Sequence, residues 1–145
     1  MKPYFIGFYG ESNTGKTMLI TDLVKRLTKD GFKVATIKKS DKQINIDVPG
    51  KDTFRHAEAG AQATVLSSKD ETDFIVKKNI NTVDIIRVIS QIDNYDFVFV
   101  EGASDKNIPK IRIGDILLRE NTVIDYDGDF EKLYNLIKNQ EIKGE

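Results

Sequence analysis

The chain has 145 residues, 39% hydrophobic and 31% charged, with a formal net charge of −1, one His and no Cys. This length and apolar content fit one folded domain and exclude a disordered chain, while the charge balance argues against a broad basic face for nucleic acid. The absence of Cys excludes disulfides, thiolate metal sites and cysteine nucleophiles, a single His cannot build a metal site alone, and no apolar run is long enough for a membrane helix.

Met1-Lys2-Pro3 leads directly into Tyr4-Phe5-Ile6-Gly7-Phe8-Tyr9, an aromatic and β-branched run that predicts a buried strand. That leaves no room for a signal peptide, so a cytoplasmic protein is expected. Residues 10–17 follow as Gly10-Glu11-Ser12-Asn13-Thr14-Gly15-Lys16-Thr17, matching the phosphate-binding pattern G-x-x-x-x-G-K-[ST]. Each fixed position has a physical task. Glycines at Gly10 and Gly15 let the chain turn tightly. Backbone N–H groups along the loop, including those of Asn13, Thr14 and Gly15, can then surround a phosphate. Lys16 would neutralise β- and γ-phosphate charge, and the Thr17 hydroxyl would ligate Mg2+.

Leu19, Ile20, Leu23, Val24 and Leu27 draw one apolar stripe on the helix that follows, and Gly31 ends it. Lys33–Lys38 predicts the next strand, giving a right-handed βαβ unit. Lys38 and Lys39 at its end face the same mouth, where a lysine can bind phosphate as a point charge or remain solvated. Residues 39–51 are polar and contain the turn Pro49-Gly50. In this loop Asp47 or Asp52 could ligate Mg2+ through water or orient an attacking water. Asp52 could equally cap a short helix running to about Gly60. Arg55 is the nearest arginine to the loop, and His56 beside it reads as a surface residue.

Ala63–Leu66 and Phe74–Val76 read as short strands. A helix starts at Thr82 or Asp84, with Ile85, Ile86, Ile89 and Ile92 on one face. Asp96–Val100 is a nearly continuous apolar run, as expected at the centre of a parallel sheet. It ends in Glu101-Gly102, as a Walker B strand does: the acid would lie beside the metal held by Thr17, and Gly102 would let the backbone approach the γ-phosphate. Ile111–Ile113, Ile116–Leu118 and Thr122–Tyr126 are further strand candidates. Phe130, Leu133, Tyr134 and Ile137 mark a terminal helix, after which a polar tail, 140–145, is expected to fray.

Strands alternating with helices predict an α/β chain: a three-layer P-loop NTPase fold, one domain over 1–139, with a mainly parallel sheet and its ligand beyond the carboxyl ends of the strands. Lys38-Lys39-Ser40-Asp41 departs from the guanine-reading N-K-x-D pattern by Lys for Asn, so base identity is not readable from spacing.

The phosphate loop, Thr36-Ile37-Lys38, Asp47-Val48-Pro49-Gly50-Lys51-Asp52, Ala59-Gly60-Ala61, Val100-Glu101-Gly102 and Pro109-Lys110-Ile111 occur in that order. Together they resemble the molybdopterin-guanine dinucleotide biosynthesis protein B (MobB) family over roughly residues 4–126. The resemblance implies a homodimeric, GTP-binding accessory protein with weak Mg2+-dependent GTPase activity in molybdenum cofactor biosynthesis. Its implied partner is the guanylyltransferase that joins GMP to molybdopterin, and molybdopterin itself is a further candidate ligand. Carried over, Gly15, Lys16 and Thr17 hold phosphates and Mg2+, Asp47 and Glu101 lie near the metal, and Pro109-Lys110-Ile111 begins a strand. The chain departs from the family at Lys39, Ser40 and Asp41, where members often carry His. Two rival expectations stand beside this one. An ATP-dependent small-molecule kinase or ligase would resemble dethiobiotin synthetase, which shares the loop and a Lys after the second strand. A non-catalytic adapter would use nucleotide only to order an interface.

Overall fold

The computed structural model describes residues 2–11 and 15–144. In chain order the elements are β1 (Tyr4–Gly10), α1 (Lys16–Lys29), β2 (Val34–Lys38), α2 (Asp52–Glu58), β3 (Ala63–Ser67), β4 (Thr72–Val76), α3 (Thr82–Ile92), β5 (Phe97–Glu101), β6 (Lys110–Ile113), β7 (Thr122–Asp125) and α4 (Phe130–Lys138). The chain gathers into two compact units, one made of residues 1–40 with 82–145 and the other of residues 41–81.

The larger unit is a five-stranded sheet in the order β2-β5-β1-β6-β7, parallel throughout. Its helices cover both faces, as the alternation of strands and helices predicts. Ile6, Phe8, Phe97, Phe99 and Ile111 project from one face against Leu19, Leu23 and Leu27 of α1 and Leu133, Tyr134 and Ile137 of α4. Val98, Val100, Ala103 and Ile108 project from the other face with Ile86 of α3. Four of the five β5 residues are fully buried, which is why this stretch reads as continuous apolar sequence rather than as an alternation. Phe8 and Phe99 meet edge to face at 5.4 Å between centroids, a favoured aromatic geometry.

Two expectations at the edges of this unit are corrected. Residues Ile116–Leu118 form no strand; Leu117 and Leu118 point into solvent, and three apolar residues without a paired neighbour have nothing to hold them extended. The tail that was expected to fray is anchored at Ile142. Ile142 is 4% exposed in the core, and its carbonyl accepts a hydrogen bond of 2.5 Å from the Tyr4 hydroxyl. α4 begins at a cap that composition did not single out: Asp129 accepts from the Lys132 N–H.

The smaller unit holds α2 and the antiparallel β3–β4 hairpin, a two-stranded sheet of its own. Lys51, not Asp52, is the residue flanking α2, and Asp52 occupies its first turn, where an acid favours the positive helix end. Among the described residues no helix is long and apolar enough to cross a membrane.

Candidate functional site

Parallel pairing sets the carboxyl ends of three strands level. Phe8 of β1 lies opposite Glu101 of β5, and Glu101 lies opposite Lys38 of β2. Side chains alternate along a strand, so Glu101 and Lys38 emerge on the face that packs α1, as Phe99 and Thr36 do. α1 starts from Gly15 in the left-handed region (φ 85°), a conformation glycine adopts without strain. Gly10 does not turn; it is the last residue of β1 and pairs with Ile113. Asn13 and Thr14, expected to cradle phosphate, lie outside the described residues.

The result is a cleft of about 370 Å³ lined by Glu11, Gly15, Lys16, Thr17, Lys38 and Glu101. Lys16 lies back over the start of the loop, its Nζ 3.4 Å from the Gly10 carbonyl. The Thr17 hydroxyl donates to Glu101 Oε1 at 3.2 Å, so the two groups expected to share a metal are already adjacent. A hydroxyl and one carboxylate suit Mg2+, which keeps several waters and takes phosphate oxygens in place of an all-protein cage. Among the described residues no three His, Cys, Asp or Glu side chains converge, a pattern that ion does not need. Gly102 has φ 79°, and a Cβ there would sit 2.7 Å from the Lys39 carbonyl oxygen. The backbone is tight at this point: Lys39 N–H donates to the Glu101 carbonyl and Gly102 N–H to the Phe8 carbonyl, both at 2.8 Å. Lys38 therefore faces the cleft, while the main chain of Lys39 braces the end of β5.

Asp47 belongs to the smaller unit. Its Oδ1 accepts from the Thr53 hydroxyl (2.9 Å) and from the Val48 N–H (3.1 Å), fixing the turn ahead of α2. Its Oδ2 is buried without a protein partner, an orphan acceptor of the kind that a water or a cation satisfies. Arg55 and His56 are exposed on α2, as expected for His56.

Sequence reasoning gave no role to two basic residues behind the cleft. Lys110 at the start of β6 is fully buried, and its ammonium donates to the carbonyls of Asp105, Ile108 (2.8 Å) and Glu120 (2.6 Å). Burial pushes this ammonium below the ordinary lysine range, with the nearby Asp105 carboxylate opposing. Arg119 lies over the Tyr9 ring at 4.7 Å and donates to the Ala103 carbonyl at 2.7 Å. No motif marks Arg119, and the Pro109-Lys110-Ile111 match places Lys110 at the start of a strand without giving it a role. The clue for Lys110 is a lysine placed directly before the apolar strand residues Ile111 and Ile113.

Comparison with known proteins places this arrangement. The family model described as molybdopterin guanine dinucleotide synthesis protein B matches residues 5–128. A putative molybdopterin-guanine dinucleotide biosynthesis adapter protein from Methanocaldococcus jannaschii is 32% identical over 146 residues, covering 91% of this chain and 59% of its own. The adapter protein of Haemophilus influenzae is 34% identical over 108 residues, covering 73% and 60%. The chain thus spans about three fifths of the length of these curated relatives. Among solved structures, MobB of Bacillus subtilis superposes with a TM-score of 0.76 at 20% identity over 98% of this chain and 99% of that one, a likeness of fold.

Proposed function

Because the chain belongs to the molybdopterin guanine dinucleotide synthesis protein B family, we propose that it is a cytoplasmic adapter of molybdopterin guanine dinucleotide biosynthesis that binds GTP with Mg2+. In this reading it hydrolyses GTP slowly, acts as a homodimer and assists the guanylyltransferase, with molybdopterin as a further ligand. The observation that carries the reading is the Thr17–Glu101 contact at a mouth lined by Lys16 and Lys38.

Each side chain has a stated task. The phosphate-loop pattern calls for backbone N–H groups around the phosphates, and the positive end of α1, which starts after Gly15, would add to them. Lys16 would neutralise charge on the β- and γ-phosphates, and Lys38 would add charge from the end of β2. Thr17 and Glu101 would hold Mg2+. When bound, the ion supplies charge stabilisation to the phosphoryl oxygens. Gly102 leaves room for the Lys39 carbonyl, which packs where a Cβ would stand at the turn after β5.

A second reading has one observation in its favour. A groove of about 340 Å³ between α1 and β2 shares Thr17, Lys38 and Glu101 with the cleft. It offers room for an acceptor beside a terminal phosphate, as an ATP-dependent kinase or ligase requires.

Calorimetric titration with GTP and with ATP, each with Mg2+, separates these readings. GTP binding at least tenfold tighter than ATP, about 1.4 kcal/mol, supports the adapter reading. ATP preference favours the kinase or ligase. Lys16→Ala should abolish measurable binding, and wild-type affinity in that variant would sink the phosphate assignment.

A further inference from the structure

Behind the cleft, three hydrogen bonds and one ring contact converge on Arg119. Its N–H donates to the Tyr9 hydroxyl at 3.1 Å. Tyr9 Oη and Thr122 Oγ1 lie 2.6 Å apart. The Thr122 hydroxyl donates to the Arg119 carbonyl at 2.6 Å. Since the Thr122 proton is used there, Tyr9 must be the donor to Thr122. The three residues therefore close a ring in which each member donates once and accepts once. Tyr9 is 1% exposed, so no water competes for its hydroxyl, and a closed ring of this kind leaves no polar atom unpaired.

The guanidinium extends from this ring in the other direction. It covers the Tyr9 ring and donates to the Ala103 carbonyl. Tyr9 immediately precedes Gly10, where the phosphate loop leaves β1. Ala103 is two residues beyond Glu101. Arg119 thus joins the strand that launches the loop to the turn that carries the acid. Gly102, between them, is tied to β1 through its N–H to the Phe8 carbonyl. Lys110 holds the rest of the same segment through the Asp105 and Ile108 carbonyls and ties it to Glu120 beside Arg119.

We infer that Arg119 is a positioning residue: its bond to Ala103 and its stacking on Tyr9 fix Glu101 at metal-sharing distance from Thr17. Its functional consequence rests on the phosphate-site reading, whereas the clamp itself is a property of the empty chain. Arg119 acts through the backbone of residues 101–103, by way of the Ala103 carbonyl.

Two measurements on the full chain test this. Without nucleotide, amide exchange by NMR should be at least tenfold faster at Gly102 in Arg119→Gln, with the Leu23 amide in α1 unchanged. Arg119→Lys, which keeps a cation and a donor, should restore Gly102 to within threefold of wild type. With GTP, the ratio of affinities in Mg2+ and in EDTA should fall at least fivefold in Arg119→Gln, the EDTA value itself moving less than threefold. Should Arg119→Gln not fold, Tyr9→Phe removes only the hydroxyl that closes the ring and should speed Gly102 exchange threefold or more. Unchanged Gly102 exchange, or equal acceleration at Leu23, overturns the inference. A wild type that binds no GTP overturns the site reading instead, because the exchange measurement needs no nucleotide.

Discussion

β5 and the β3–β4 hairpin are built from strands of the same length and similar apolar character, yet they are packed in opposite ways. β5 runs between two parallel neighbours, and its Phe97, Val98, Phe99 and Val100 are all fully buried. In the hairpin, Val65 and Phe74 face each other across the pair and remain 54% and 61% exposed. Thr64, the one buried residue of β3, has a hydroxyl with no partner. Covering both faces turns a strand into a rigid mount, and Glu101 at the end of β5 inherits that rigidity. A two-stranded ribbon gains little from its own side chains. Chemistry that needs atoms held to fractions of an ångström belongs at the end of the first kind of strand.

Four substitutions and a pH titration sharpen the contrast. Phe99→Ala empties a fully buried ring site and should destabilise the chain by about 3–5 kcal/mol in urea unfolding. Gly102→Ala forces an L side chain into the left-handed region and against the Lys39 carbonyl. It should lose about 2 kcal/mol and weaken Mg2+-dependent nucleotide binding as well, which a calorimetric titration would reveal. In the hairpin, Thr64→Val removes an unsatisfied hydroxyl at nearly constant volume. It should slow amide exchange in β3 and β4, stabilising them by about 1 kcal/mol. Phe74→Ala, in contrast to Phe99→Ala, should change stability by less than about 0.5 kcal/mol. A loss as large as that of Phe99→Ala would break the comparison.

The pH dependence should be shallow at both ends. Asp30, hydrogen-bonded by Tyr134 and Lys138, and Glu131, hydrogen-bonded by Arg26, are held below the usual carboxylate range. The folded state therefore keeps these groups ionised where the unfolded chain takes up protons, and their contribution, present above about pH 4–5, is lost as pH falls further. On the alkaline side burial pushes the Tyr4 and Tyr134 phenols up to about 12. The unfolded chain gives up those protons near pH 10, so stability falls as pH rises from there through the folded values. Thermal melts across pH should show both declines, with Tyr4→Phe flattening the alkaline one.

Much of this architecture was legible because period and punctuation agree with the global fold. The Leu19-Ile20-Leu23-Leu27 stripe, the apolar run into Glu101 and the loop ending in Lys16-Thr17 each admit one placement in a βαβ sheet. Lys38 was legible for the same reason, since strand ends in a parallel sheet share one mouth. What escaped was set by partners distant in sequence. Ile142 looks like part of a polar tail until Tyr4 is beside it. Ile116–Leu118 looks like a strand until no neighbour pairs with it. Arg119 and Tyr9 are 110 residues apart, and nothing local in either suggests the other. Asp52 failed differently: capping and first-turn placement favour the same residue type one position apart.

Lys110 also makes the protein its own reporter. Among the described residues it is the only charged side chain that is fully buried, its ammonium occupied by three carbonyls. An amine-directed reagent should acylate the surface lysines first and reach Lys110 only when the segment between β5 and β6 opens. Mass spectrometry of that one peptide over time would then count opening events beside the cleft, with no substitution in the chain.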